Sequence, residues 1–285
     1  MRSYLPDYDL VIANDLTQAL KLLASPDGWR PIAGGTDLMV LLNAGRLPYR
    51  KLVSIAKLAD LTSITASPEA VTIGAAVTYS AMQRHPLLQA EFPLLCQAAS
   101  WTGGMANQNR GTVGGNIVNA SPAADTPPAL LVYDAELELI SERGSRRLLY
   151  SQFHSGYKLM DLSADELLAK IHLPRQGRQL TQYARKVGAR RAQAISKVCF
   201  SALAELDSSV IKHIRIALGS VAPIPLRCQN LEAALTGQVV TPGLIAHSRE
   251  LIAREIQPID DIRSTARYRS LVTQNLLSEF LGRLL

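Results

Sequence analysis

The chain has 285 residues, 47% of them hydrophobic and 19% charged, with 30 Lys and Arg against 24 Asp and Glu for a net charge of +6. That length suits one large or two modest domains, and no stretch approaches the ~20 uninterrupted apolar residues of a membrane-spanning helix. The basic residues do not alternate with aromatics as in single-strand nucleic-acid binders, and Cys96, Cys199 and Cys228 form no C-x-x-C pair, which argues against a zinc site or iron–sulfur cluster within the chain.

At the start, Met1 to Pro6 meets Asp7 and Asp9 before any apolar run, which reads as neither a secretory signal nor a transit peptide and places the protein in the cytoplasm. Leu16, Ala19, Leu20, Leu22 and Leu23 recur at helical spacing after Asn14-Asp15, with Gly28 as a stop. Arg30-Pro31-Ile32 followed by Ala33-Gly34-Gly35-Thr36-Asp37 and an apolar run to Leu42 predicts a strand, a glycine turn and a helix start. Residues 51–55 and 71–74 read as strands, and 78–84 and 92–101 as helices, a mixture without strict alternation that favours an α+β fold. Residues 103–119, rich in Gly and Asn, read as poor helix and poor strand.

Alternation over 136–141 with the turn Arg143-Gly144 predicts a hairpin, and 167–173 ends in Pro174 as a strand would. Gln176 to Gln179 has linker character, so a second domain begins near residue 177. Strands are expected over 180–187, 194–206 and 210–221, then three helices. Tyr268, Leu271, Val272, Leu276, Phe280, Leu281 and Leu284 mark one face of the last helix.

The chemistry concentrates in two glycine loops. In Asn109-Arg110-Gly111-Thr112-Val113-Gly114-Gly115-Asn116 adjacent glycines leave backbone N–H groups unshielded by Cβ, so a diphosphate can approach them. The run Ala33-Gly34-Gly35-Thr36 leads into a helix whose first N–H groups could face the same anion. A lone Gly-Gly is more often an ordinary tight turn; two such loops suit a dinucleotide. Neither a P-loop nor a G-x-G-x-x-G fingerprint is present. His85, His154, His172, His213 and His247 show no metal spacing and no attendant nucleophile, so no catalytic residue and no metal ligand is assigned.

The motifs Ala33-Gly34-Gly35-Thr36-Asp37-Leu38, Thr112-Val113-Gly114-Gly115-Asn116-Ile117 and Asn119-Ala120-Ser121-Pro122-Ala123-Ala124-Asp125-Thr126-Pro127-Pro128 resemble the flavin-binding motifs of the medium subunit of the molybdenum hydroxylases, the group of bacterial xanthine and carbon monoxide dehydrogenases. The resemblance continues through Asp165-Glu166-Leu167-Leu168, Ile195-Ser196-Lys197-Val198, Ser220 to Arg227 and Ile259 to Thr265, in the family's order. It implies an α+β, PCMH-type FAD-binding fold over residues 1–176, in subdomains of about 1–56 and 57–176. A C-terminal domain over 177–285, with a three-stranded antiparallel sheet and helices, would follow.

On the same resemblance FAD is held noncovalently, its pyrophosphate by Gly34, Gly35, Thr36, Thr112, Gly114, Gly115 and Asn116. Asp125 would bind the ribityl chain, where a carboxylate acceptor suits hydroxyls better than phosphates; capping the helix begun by Pro127 and Pro128 is the other reading open for it. Ser121 would add a hydrogen bond or simply form a turn ahead of Pro122. Leu168 matches an apolar residue that packs on the isoalloxazine, with plain core as its alternative. Lys197, alone in a run that reads as buried strand, would sit at the flavin pyrimidine edge unless it lies on a solvent face. The cluster Arg185, Lys186, Arg190, Arg191 has no assigned role, and Gln108 and Gly111 depart from the Arg and Ala common in relatives.

The implied partners are a large subunit with the molybdenum cofactor and a small subunit with [2Fe–2S] clusters, with NAD among the acceptors. Two rival readings are a stand-alone noncovalent FAD oxidase and a flavin-free assembly subunit. The short chain and the missing His or Cys anchor weigh against the first; the intact loops weigh against the second.

Overall fold

A computed structural model describes residues 7–175, 177 and 180–285. The N-terminal segment read for targeting signals and three of the four linker residues, 176, 178 and 179, lie outside the described residues.

The chain opens with β1 (Asp9–Ile12), α1 (Leu16–Ala24), β2 (Arg30–Ile32), α2 (Leu38–Asn43) and β3 (Lys51–Ser54). Asp15 caps α1 by accepting the Gln18 amide at 2.7 Å, and the helix buries Ala19 and Leu23 against the sheet. The sheet order is β1-β3-β2, all parallel. The glycine turn leaves the C-terminal end of β2, so its position is set by pairing with the central strand β3.

Next come α3 (Ala59–Thr62), β4 (Ile64–Ala66), β5 (Ala70–Gly74) and five helices: α4 (Tyr79–Arg84), α5 (Pro86–Glu91), α6 (Pro93–Trp101), α7 (Met105–Arg110) and α8 (Val113–Val118). After α9 (Pro127–Val132) follow β6 (Glu136–Ser141), β7 (Gly144–Leu149), the small hairpin β8 (His154–Gly156) and β9 (Leu159–Met160), and β10 (Leu167–Pro174). The antiparallel sheet β4-β5-β10-β6-β7 packs its apolar face on the helices, where Tyr133, Phe92, Phe153 and Tyr150 are fully buried. The Tyr133 hydroxyl accepts the Leu94 amide and donates to Gln182, which ties that core to the next strand.

The last part contains β11 (Thr181–Val187), β12 (Val198–Asp207), β13 (Val210–Gly219), β14 (Leu226–Arg227), α10 (Gln229–Leu235), α11 (Pro242–Glu255) and α12 (Ala266–Gly282). Its sheet, β11-β12-β13-β14, is antiparallel and is buried on both faces at β12. Phe200, Ala202 and Ala204 face α11 and α12, while Leu203, with Ala184 and Ala217, joins the core under α6 and α9. The α+β class holds, with the expected three-stranded sheet extended by the short β14.

Several expectations need correction. Residues 103–119 carry two helices, α7 and α8. Thr112 Oγ1 caps α8 by accepting the Gly115 amide, and Gly114 is wedged where a Cβ would lie 2.5 Å from that of Ala75. Packing thus overrides the poor helix propensity of glycine. β12 begins at Val198 rather than residue 194, because Ser196 turns inward to Asp125 and its carbonyl accepts the Ser220 hydroxyl. On α12 Tyr268 and Leu271 are exposed, whereas Arg269 is buried, donating to the carbonyls of Lys197 and Ser220 and to Asp261. A buried guanidinium held through its two terminal nitrogens, with Nε left unpartnered, is invisible to an apolar pattern. The edge strand β1, with Leu10 and Ile12 exposed, and β4, α5 and the β8–β9 hairpin were not anticipated.

Arg146 on β7 pins the segment leading into β10. Its guanidinium forks onto Glu166 at 2.7 and 2.8 Å and onto Asp161 at 2.8 and 2.9 Å. Those bonds hold the Glu166 carboxyl down at about 2. The folded pKa is depressed, so its stabilisation is present above the ordinary carboxylate range and is lost as pH falls from about 5 toward 2. Arg146→Met should cost about 1–2 kcal/mol at pH 7, modest because Arg146 is partly solvated. The deficit should shrink by pH 3, as read by urea unfolding at both pH values; a deficit independent of pH would contradict this role.

Candidate functional site

Both glycine loops open on one cavity of about 530 Å³, within the range of small-molecule sites. Its wall includes Ala33, Gly34, Gly35, Thr36, Asp37 and Leu38 from the first loop and Thr112, Gly114, Gly115 and Asn116 from the second. Leu168 of β10 completes it, together with Arg30, Tyr79, Asn119, Lys158 and Met160.

The loops touch through their backbones. A Cβ on Gly34 would stand 1.9 Å from the Arg110 carbonyl oxygen, so any side chain there drives the loops apart. Gly35 has φ +73°, a left-handed conformation that favours glycine. Among the described residues, no acceptor meets the amides of Gly34, Gly35, Thr36 or Asp37. Four consecutive donors are therefore available at the cavity wall.

The second loop works differently. The amides of Val113 and Gly114 donate to the Val77 and Ala75 carbonyls at 3.0 and 2.9 Å, and those of Gly115 and Asn116 donate to Thr112. Its glycines serve close packing, and Asn116 brings a side-chain amide whose Oδ1 accepts the Thr126 hydroxyl at 2.6 Å. The first loop supplies donors, and the second supplies a wall.

Charge is sparse. Arg30 and Lys158 are the lining cations among the described residues. Asp37 is turned aside, accepting the Asn119 amide at 3.0 Å, while Lys158 Nζ donates to the Asn119 carbonyl and to its Oδ1 at 3.1 Å. Burial lowers the Lys158 pKa, and Asp37 opposes that shift. The phenol of Tyr79 is held well above its usual range by burial and by the nearby charges of Asp37 and Asp125, so it stays a neutral hydroxyl.

Residues 6–176 match the family described as the FAD binding domain in molybdopterin dehydrogenase, and residues 183–284 match the CO dehydrogenase flavoprotein C-terminal domain. The chain is a member of the FAD-binding subunits of the molybdenum hydroxylases. It is 32% identical over 272 residues to the xanthine dehydrogenase FAD-binding subunit of Escherichia coli O157:H7, covering 95% of this chain and 93% of that one. To the glyceraldehyde dehydrogenase medium chain of Sulfolobus acidocaldarius it is 30% identical over 273 residues, 96% of each chain. Its fold superimposes on a chain of carbon monoxide dehydrogenase from Hydrogenophaga pseudoflava with a TM-score of 0.93 at 24% identity, covering 98% and 97% of the two chains.

Within this family fold, Ser121, Asp125 and Lys197 do not line the cavity. Asp125 is buried behind it, accepting Lys186 Nζ at 2.7 Å and the Ser196 hydroxyl at 2.5 Å. Burial raises its pKa although both partners oppose the rise. Ser121 Oγ accepts the Ala123 amide, which is the turn alternative. Lys197 stands one residue before β12 with its ammonium 5.1 Å from the centre of the half-exposed Tyr268 ring. The buried lysine is Lys186, passed over as part of a basic cluster; its place at an inward position of β11 was the available signal. Among the described residues, no group of three or more His, Cys, Asp or Glu could hold a metal, and no helix is long and apolar enough to cross a membrane.

The two lysines should therefore part company. Lys186→Met strands the buried Asp125 and should cost about 3–5 kcal/mol, whereas Lys197→Met loses one half-exposed cation–π contact worth about 0.5–1 kcal/mol. Equal losses in urea titrations of the two variants would contradict this placement.

Proposed function

We propose that this chain holds FAD noncovalently in the cavity between its glycine loops and passes electrons from a [2Fe–2S] partner subunit to NAD or another acceptor. The observation that carries the reading is the row of unpartnered amides at Gly34, Gly35, Thr36 and Asp37, set against a loop that only glycine at residue 34 allows to approach. A pyrophosphate carries charge without needing a proton, and such donors answer it without a counter-charge. The group fits: the donors are neutral, the one acidic side chain beside them is diverted to Asn119, and the cavity wall also includes apolar Leu168 and Met160.

Gly34, Gly35 and Thr36 would bind the pyrophosphate through backbone amides, with Ala33, Asp37 and Leu38 completing their turn. Asn116 would add a side-chain donor, while Thr112, Gly114 and Gly115 would hold the opposite wall. Leu168 would pack on a ring of the cofactor. Asp125 would act from behind the wall, orienting Lys186 and Ser196 rather than touching the cofactor directly. FAD supplies the chemistry that gathers single electrons and delivers a pair. The chain's own groups then need only bind, orient and exclude water, in keeping with the absence of an assigned acid–base residue. The relatives' names as an FAD-binding subunit and a medium chain support a place in a multi-subunit complex; the partners in this reading are a molybdenum-cofactor large subunit and a [2Fe–2S] small subunit, and its location the cytoplasm.

The lone FAD-loaded chain should show no flavin bleaching in anaerobic stopped flow with a purine or aldehyde. The same substrate should bleach it once molybdenum and iron–sulfur subunits are added. Rapid bleaching of the lone chain would overturn the relay and favour a stand-alone dehydrogenase.

A further inference from the structure

The β8–β9 hairpin forms one side of the cavity, and its two ends are held very differently. From the end of β9 onward, Met160, Leu162, Ser163 and Ala164 line the cavity on a segment fixed by Arg146 through Asp161 and Glu166. Just before β8, Phe153 is fully buried, and at its start His154 bonds the Ile117 carbonyl at 3.0 Å. The tip between them has little support. Tyr157 and Leu159 are 65% and 62% exposed, and Lys158 adopts φ +59°, which a side chain takes up only when something holds it.

What holds it is Asn119. Lys158 Nζ donates to both oxygens of Asn119, whose side-chain amide in turn donates to Asp37. Among the described residues, these are the bonds that tie the hairpin tip to the rest of the wall. The chain of contacts runs from the hairpin through the end of α8 to the first glycine loop, and Lys158, Asn119 and Asp37 all line the cavity. Its strength is that of two charge-assisted bonds at a partly solvated site, enough to hold a tip and weak enough to open.

We infer that Lys158 is a positioning residue that fastens the β8–β9 hairpin, through Asn119, to the Asp37 loop as a clasp controlling how fast the cofactor enters and leaves the cavity. The inference rests on the FAD reading above. A clasp differs from a direct ligand because opening it speeds passage in both directions, while the bound state keeps the contacts made by the loop amides. A cation touching the pyrophosphate would instead weaken affinity and change its salt dependence.

The test is rapid-mixing fluorescence of FAD association and release with the full chain, comparing the native protein with Lys158→Met and Lys158→Arg. The clasp predicts association and release both about five- to tenfold faster in Lys158→Met, a Kd changed by less than about threefold, and recovery of native rates in Lys158→Arg. In the cofactor-free chain, amide exchange of residues 155–160 should quicken in Lys158→Met while that of 167–173 does not. Unchanged rates in Lys158→Met, with a native chain that binds FAD, would overturn the clasp alone. So would faster release with unchanged association, which marks a direct phosphate contact. A native chain that takes up no FAD would overturn the FAD reading and the clasp with it.

Discussion

The approach of the Gly34 backbone to the Arg110 carbonyl is the constraint on which the site depends. It brings a loop from the parallel sheet against a loop from the helical layer, at a distance no side chain permits. Once the loops meet, no acceptor among the described residues meets the amides at residues 34–37, and all four residues line the cavity. Leaving amides unpaired costs stability unless water or a ligand answers them, so this arrangement is one that a bound anion stabilises.

A second set of buried polar contacts fixes the C-terminal sheet to that framework. Asp125 lies behind the wall, Lys186 is on β11, and Ser196 precedes β12, so one carboxylate gathers both strands. Arg269 does the same from α12, joining the Lys197 and Ser220 carbonyls to Asp261. Apolar residues of comparable volume could hold the same interface at least as strongly. Charged partners demand one geometry, which suits a surface that has to keep a cofactor wall in register.

Much of the fold was legible. Hydrophobic spacing and capping located α1, β2, the β6–β7 hairpin and the long C-terminal strands, because their apolar and capping positions recur with the period of the element they form. The glycine loops and Leu168, singled out from sequence, line one cavity. What escaped was set by tertiary contact: α7 and α8 form despite their glycines, since Gly114 packs on Ala75 and Thr112 caps the helix. Lys197 resembled a buried lysine only while 194–206 read as one strand. Lys186 was hidden among exposed arginines, because pairing with a carboxylate 61 residues away leaves no local signature. The hairpin tip at Lys158 likewise showed no pattern, as its partner, Asn119, caps the end of α8, 39 residues earlier.

The central claim is that backbone donors at a loop junction recognise a pyrophosphate. The most direct measurement compares equilibrium binding of FAD, FMN and riboflavin to the purified chain by fluorescence titration. FAD should bind at least about a hundredfold more tightly than riboflavin, the difference carried by the diphosphate at the loop amides. FMN, with a single phosphate, should fall between them. Riboflavin binding as tightly as FAD would show that the loops do not read the pyrophosphate and would contradict the account.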